Sequence, residues 1–187
     1  MQLRALPGWM RPSAQVDIAQ LFRSIRPVIR SQVEGPLDRA KVRRWARRAG
    51  FHVAICQDGF FAMSRDGGLA RRALQIDARP GRHTVALGRA LGYPACCCVA
   101  AGRRNDEGLD AWAAAISARR FCGQFRLIQP AGYTAGDACI SHVPCSPRCA
   151  ASLRMARSLN HDRRARAPCR LKGSRRWGPR ARTGHDW

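Results

Sequence analysis

The 187-residue sequence predicts an α+β fold, in which a small β-hairpin and several short helices surround a Cys/His-rich loop region. Two segments near the N-terminus repeat apolar residues at helical spacing, whereas residues 51–56 alternate as a half-buried strand does. Seven of the nine cysteines fall within residues 96–149. The length allows one main domain with some surplus at the ends.

Residues 1–37 are predicted to form a helical attachment region. One apolar stripe at positions i, i+3, i+4 and i+7 predicts a short helix here, and Pro27 would end it. The stripe consists of Ile18, Leu21, Phe22 and Ile25.

A second helix is predicted from Asp38, a suitable N-cap residue, to Ala49, with Gly50 as its stop. Its buried stripe would contain Val42, Trp45, Ala46 and Ala49. Its remaining surface is strongly basic, with Arg39, Lys41, Arg43, Arg44, Arg47 and Arg48.

The central part of the chain, residues 38–159, is predicted to be the Cys/His-containing α+β domain. Residues 51–56 and 60–64 would pair as the hairpin around the turn Asp58-Gly59, and the run of residues 66–68 would close it. Residues 69–78 fit a strand or a helix. Further helices are predicted over residues 84–91, from Asp106, and from Ser146 to about Leu159.

Residues 160–187 are predicted to be a basic disordered tail. They contain eight arginines and one lysine against two aspartates, and few apolar residues. Such a segment cannot bury enough surface to offset the entropy lost on ordering.

Composition excludes several classes of protein. The chain has 34 basic and 12 acidic residues, a formal net charge of +22, and no apolar run of the roughly 18 residues that a membrane span needs. Residues 1–30 lack the pattern of a secretory signal. The cysteine content is below that of disulfide-built secreted domains, which favours reduced thiols. We therefore expect a cytoplasmic protein with no membrane partner.

Two short segments contain the candidate chemical groups, YPACCC at residues 93–98 and HVPCSPRC at residues 142–149. In the second segment, Ser146 is a suitable N-cap and Pro147 suits the first helical position. Cys145 would lie just outside that helix and Cys149 in its first turn. Unpaired backbone N–H groups and the helix dipole favour thiolates at such a place, and thiolates are the form that binds metals.

A zinc ion or an iron–sulfur cluster is held by about four cysteine or histidine ligands. If the two segments meet in the fold, the candidate ligands are Cys96, Cys97, His142, Cys145 and Cys149. The spacing is not that of a known zinc finger or ribbon, because the sequence has no Cys-x-x-Cys pair. We predict a metal-site protein, with zinc favoured over an iron–sulfur cluster and any reaction unknown.

The same residues carry a resemblance to a known family. The combination of Tyr-Pro-x-Cys-Cys with a later His-x-Pro-Cys-Ser-x-x-Cys resembles a domain-of-unknown-function family of small proteins from archaea and bacteria. The resemblance covers residues 83–159 and implies that the cysteines and the histidine form the family's site. The matching positions are Leu91, Gly92, Tyr93, Pro94, Cys96, Cys97, Ser141, His142, Pro144, Cys145, Ser146, Cys149 and Ser152.

Two other functions remain open from the sequence. The basic helix and tail are compatible with non-specific nucleic-acid binding, in which arginines neutralise phosphates. A thiol enzyme is the third interpretation, either a redox protein using Cys96–Cys98 or an enzyme in which His142 activates Cys145 as a nucleophile. The cysteines expected to be ordinary packing residues are Cys56, Cys122, Cys139 and Cys169, although Cys139 lies only six residues before Cys145 and so within reach of the site.

Overall fold

The computed structural model describes residues 12–33, 35–79, 83–104, 106–118, 123–134 and 138–165, and these residues form an α+β fold, as predicted. The helices in these ranges are α1 Pro12–Phe22, α2 Pro36–Arg48, α3 Gly67–Asp77, α4 Thr84–Ala90, α5 Ala95–Gly102, α6 Asp106–Ser117, α7 Ala131–Thr134 and α8 Ala150–Ala165, with a 3-10 helix at Gly123–Ile128. The strands are β1 Val28–Gln32, β2 His52–Ile55 and β3 Phe60–Ser64. Among the described helices, none combines the length and apolar character needed to cross a membrane.

The three described strands form an antiparallel sheet in the order β1-β3-β2. The predicted hairpin is present as β2 and β3, with Val53 opposite Met63. Strand β1 was not predicted, and it lies in the segment 1–37, where we expected a single helix. It pairs with the other edge of β3, with Ile29 opposite Met63, so β3 is the central strand.

The sheet lies between two layers of helices. Phe61 and Met63 face α1 and α2, where they join a buried cluster with Ile18 and Val42. Alternate residues point the other way, and Ala62 packs towards α3 and α4. Because successive side chains of a strand point to opposite faces, both faces of β3 are buried.

The segment 69–78, which fits a strand or a helix from the sequence, belongs to helix α3 and its C-cap residue. The interpretation of residues 66–68 as a turn also needs correction. The side chain of Asp66 accepts hydrogen bonds from the backbone N–H groups of Gly68 and Leu69, so it is the N-cap of α3. The run of residues 66–68 therefore begins a helix and does not simply close the hairpin. Helix α2 likewise begins earlier than predicted, with Gly35 at the N-cap position and Asp38 inside the first turn.

A second buried cluster joins α1 to the C-terminal helix. Val16 of α1 packs in it with Ile128 and Ile140, and α8 contributes Leu153, Ala156 and Leu159. Since α1 also packs on the sheet, it connects the sheet layers to α8. Helix α8 continues into the start of the segment predicted as a tail, and the rest of that tail lies outside the described residues.

Candidate metal centre

Four of the five predicted ligands come together at the junction of α5 and α8. The sulfur atoms of Cys96, Cys97, Cys145 and Cys149 all lie within 4.8 Å of one another. The Sγ atom of Cys149 is 3.7 Å from that of Cys96 and 3.6 Å from that of Cys97, and Cys96 and Cys97 are 3.9 Å apart. All four are free thiols, and Cys96 is the exposed member. We call this group the four-cysteine cluster.

The first pair of cysteines lies in the first turn of α5, a helix that the sequence did not predict. The backbone N–H groups of Cys97 and Cys98 donate to the carbonyl of Pro94, which starts the helix. Gly92 has a φ of +78°, and a side chain there would collide with Pro27. Glycine is therefore required at the turn that leads from α4 into α5.

The second pair flanks a turn that precedes α8. This helix begins at Ala150, whereas we expected it to begin after Ser146. The carbonyl of Ser146 accepts from the N–H of Cys149 at 3.2 Å, which closes a separate turn. The carbonyl of Cys149 accepts from the N–H of Leu153 at 2.9 Å, the bond expected of an N-cap residue. Cys149 therefore caps α8, and Cys145 lies four residues before it.

Burial and hydrogen bonds shift the pKa values of the cysteine thiols in different directions. Burial opposes ionisation of Cys149, but hydrogen bonds from the hydroxyl and backbone N–H of Ser152 and from neighbouring thiols lower its pKa to about 7. Burial raises the pKa of Cys97, although Ser152 and the backbone N–H of Cys145 oppose this. Burial and the adjacent sulfurs raise the pKa of Cys145 to about 11.

His142 is the one predicted ligand that does not join the four-cysteine cluster. Its Nε2 atom lies 2.8 Å from the hydroxyl oxygen of Ser152, which in turn lies 3.4 Å from Sγ of Cys97. Burial, with a smaller effect of Arg26, lowers the pKa of the imidazole to about 3. In the described part of the chain, His142 makes no hydrogen bond to Cys145. The predicted pairing of a histidine base with a cysteine nucleophile is therefore not formed.

Ser152 lies beside the four-cysteine cluster, and the sequence did not reveal its role there. It is fully buried on α8 and contacts both the sulfurs and His142. It was among the positions that matched the family pattern, but spacing alone gave it no function. Its place one turn into α8, on the same side as Cys149, is the signal that could have identified it.

A buried ion pair positions the two cysteine segments, and no sequence pattern indicated it. The guanidinium of Arg26 donates to Asp17 at 2.7 Å, to the carbonyl of Leu91 at 2.9 Å and to the hydroxyl of Ser141. It also lies over the ring of Tyr93, 4.4 Å from the centroid. Arg26 thus connects α1 to the residues just before each cysteine segment. Burial raises the pKa of Asp17, and Arg26 opposes this.

The other described cysteines are not members of the cluster. Cys98 is buried and directs its thiol to the carbonyl of Tyr93, 3.6 Å away. Cys139 is fully buried in the core beside α8, and Cys56 lies partly buried at the turn of the hairpin. Cys122 and Cys169 lie outside the described residues.

Comparison of the chain with protein-family models, with curated proteins and with solved structures finds no match. The family resemblance in residues 83–159 therefore stays a prediction, and the function has to be argued from the site itself.

Proposed function

We propose that this protein is a metal-site protein in which the four-cysteine cluster holds one zinc ion. The proposal rests on the spacing of the sulfur atoms. Four sulfurs placed tetrahedrally around zinc at about 2.3 Å are separated from one another by about 3.8 Å. The separations among Cys96, Cys97 and Cys149 are 3.6, 3.7 and 3.9 Å, which match one face of such a tetrahedron, and the sulfur of Cys145 lies within 4.8 Å of the other three.

An iron–sulfur cluster fits this spacing less well. In a four-iron cluster each cysteine binds a different iron atom, so its four sulfurs lie further apart than ligands of a single ion. The cluster here is compact, since no two of its sulfur atoms are more than 4.8 Å apart. The geometry therefore supports the prediction of zinc over iron and sulfur.

The ligand set favours a structural role for the metal. Four cysteines close a tetrahedral zinc site, whereas catalytic zinc sites keep one position open for water or substrate. The ligands come from the start of α5 and the turn before α8, so the metal would join these elements. Such a site agrees with our expectation of a reducing, cytoplasmic location, where thiols stay free to bind metal.

The test is the metal content of Cys96→Ser and Cys98→Ser variants, measured by elemental analysis of anaerobically purified protein. Cys96 is exposed, so its substitution leaves the core intact, while Cys98 is a neighbouring thiol outside the cluster. We expect one zinc per chain in the parent and in Cys98→Ser. We expect Cys96→Ser to lose most of its zinc during dialysis against a mild chelator.

Three outcomes would contradict the proposal. Parent protein that contains no metal would show that the four-cysteine cluster does not hold a metal ion. Iron with a visible absorption band would show that the cysteines hold an iron–sulfur cluster and not zinc. Equal zinc retention in the two variants would show that the metal lies elsewhere.

One observation favours nucleic-acid binding as a second candidate. Of the six basic residues predicted on α2, five are exposed: Lys41, Arg43, Arg44, Arg47 and Arg48. The opposite side of α2 packs into the core through Val42 and Ala46. Arg43 and Arg47 are one turn apart, so they lie on the same face of the helix. The basic side chains therefore form a continuous outward surface that suits a phosphate backbone.

A double variant tests this candidate. Arg43→Gln/Arg47→Gln changes α2, and the control Arg71→Gln/Arg72→Gln removes the same charge from exposed positions of α3. We expect the α2 variant, but not the control, to bind a 20-base-pair DNA duplex more weakly. The slope of log K against log salt should fall by about 0.9 for each lost phosphate contact. An equal loss in both variants would indicate only the overall charge of the protein.

A further inference from the structure

The four cysteines of the cluster differ in their access to solvent. Cys96, in the first turn of α5, is exposed, and Cys145 is partly buried. Cys97 and Cys149 are only 2% and 6% exposed. The oxidation of a cysteine depends on the access of the oxidant to its sulfur. A small oxidant that approaches from solvent therefore meets Cys96 before the other three thiols.

The exposed thiol is in contact with a sulfur from a distant part of the chain. The Sγ atom of Cys96 is 3.7 Å from that of Cys149, which lies at the N-cap of α8. A disulfide bond is about 2.0 Å long, so this pair has to close by only about 1.7 Å. Cys149 is therefore placed to react with an oxidised Cys96.

Cys97 is almost as close to Cys96, at 3.9 Å, but is poorly placed to form a disulfide with it. The Cα atoms of consecutive residues are about 3.8 Å apart across a trans peptide, whereas those of disulfide-bonded residues are about 4.4–6.8 Å apart. The backbone N–H of Cys97 also donates to the carbonyl of Pro94 at 2.9 Å. A bond between the two adjacent cysteines would have to distort the first turn of α5.

We propose that Cys96 is an oxidative modification site for hydroperoxides, and that its oxidation ends in a disulfide with Cys149. The thiolate of Cys96 attacks one oxygen of hydrogen peroxide, the O–O bond breaks and hydroxide leaves, which gives a sulfenic acid. The thiolate of Cys149 then attacks this sulfur, the S–O bond breaks and a second hydroxide leaves. In total, two thiolates lose two electrons and one peroxide molecule gains them.

This reaction would also release the metal, a consequence that rests on the proposed function. A closed zinc site uses four ligands, and only Cys97 and Cys145 would remain as thiolates. The disulfide would then join α5 to α8 in place of the metal. The position of the disulfide depends only on the exposure and the spacing of the sulfur atoms.

Peptide mapping of the full-length, anaerobically purified protein tests the proposal after treatment with one equivalent of hydrogen peroxide. Trypsin, which cleaves after arginine, separates the three cysteines that have to be distinguished: Cys96 in peptide 90–103, Cys145 in peptide 127–148 and Cys149 in peptide 149–154. After alkylation of the free thiols, mass spectrometry should find peptide 90–103 linked to peptide 149–154, with fragmentation locating the link at Cys96. A chromophoric indicator should record one zinc ion released per disulfide, and a dithiol reductant should remove the link.

Cys96→Ser and Cys98→Ser are the matched pair of variants. Cys98 is a buried thiol of the same tryptic peptide that does not belong to the cluster. We expect Cys98→Ser to form the same link as the parent. Cys96→Ser should form at least about tenfold less of any link between these two peptides, because the remaining cluster thiol of α5 is buried.

Several results would overturn the proposal: no link, a link to the peptide of Cys145, an equal yield in the two variants, or oxidation of Cys96 that stops at the sulfinic acid. The zinc content of the same samples separates this proposal from the metal centre. Zinc-loaded protein that forms no link refutes the oxidation site alone. Protein that is purified without zinc but forms the link between Cys96 and Cys149 refutes the metal centre alone.

Discussion

At the scale of single residues, Ser152 is the group on which the chemistry of the site depends most. Its hydroxyl lies 2.8 Å from Nε2 of His142 and 3.4 Å from Sγ of Cys97, and hydrogen bonds from its hydroxyl and backbone lower the pKa of Cys149. A serine in this position holds the sulfurs by hydrogen bonds and sets the orientation of the histidine. Such partners of metal ligands tune affinity without binding the metal themselves.

Substitution of Ser152 should therefore weaken the metal site without destroying it. We expect Ser152→Ala to retain one zinc per chain when zinc is in excess, but with an affinity about 10–100-fold lower. The measurement is zinc competition with a chromophoric chelator at neutral pH. Ser158→Ala is the matched control, because that serine lies on the same helix, is exposed and uses its hydroxyl to bond the carbonyl of Arg154, away from the cluster. Equal affinities of the two variants would contradict this role of Ser152.

At the scale of secondary-structure elements, the sequence was most informative where a local pattern alone determines the structure. The β2–β3 hairpin follows from the alternation in residues 51–56 and an Asp-Gly turn, and α2 follows from its apolar stripe. Strand β1 could not be found in this way. It is only five residues long, and it is stabilised by pairing with β3, which is about thirty residues away in the sequence.

The two elements that contribute the four-cysteine cluster show the same limit. Helix α5 lacks a clear apolar stripe, because a run of cysteines and alanines is apolar on every side. It packs against α4, and sequence periodicity does not report such a contact. Near α8, the N-cap preference of Ser146 indicated a helix start, but Cys149 takes that position. The prediction that the two segments converge was nevertheless correct, since Cys145 and Cys149 meet Cys96 and Cys97.

At the scale of the whole molecule, the four-cysteine cluster lies where two parts of the chain meet. Helix α5 packs on α4 beside the sheet, whereas α8 packs on the 3-10 helix. Some polar links between the parts go through α1 and the residues after it: Gln20 donates to the carbonyl of Cys139 at 2.6 Å, and Arg26 bonds Ser141. Others are direct, such as the bond from the hydroxyl of Tyr93 to the carbonyl of Ser141 at 3.3 Å. A metal held by Cys96 and Cys149 would add a direct connection between α5 and α8.

Removing the metal should therefore destabilise the protein unevenly. At free zinc about a thousandfold above its dissociation constant, binding stabilises the folded state by about 4 kcal/mol, or roughly 8–16 °C in Tm for a chain of this size. We expect a chelator to lower the Tm of the parent by this amount and to leave Cys96→Ser unchanged. Hydrogen exchange should accelerate at the start of α5 and in α8, because these elements lose their cross-link, while the amides of β3 stay protected by two neighbouring strands. Equal acceleration in β3 and α8 would show that the metal supports the entire fold, and an unchanged Tm would show that the cluster does not stabilise the protein by binding metal.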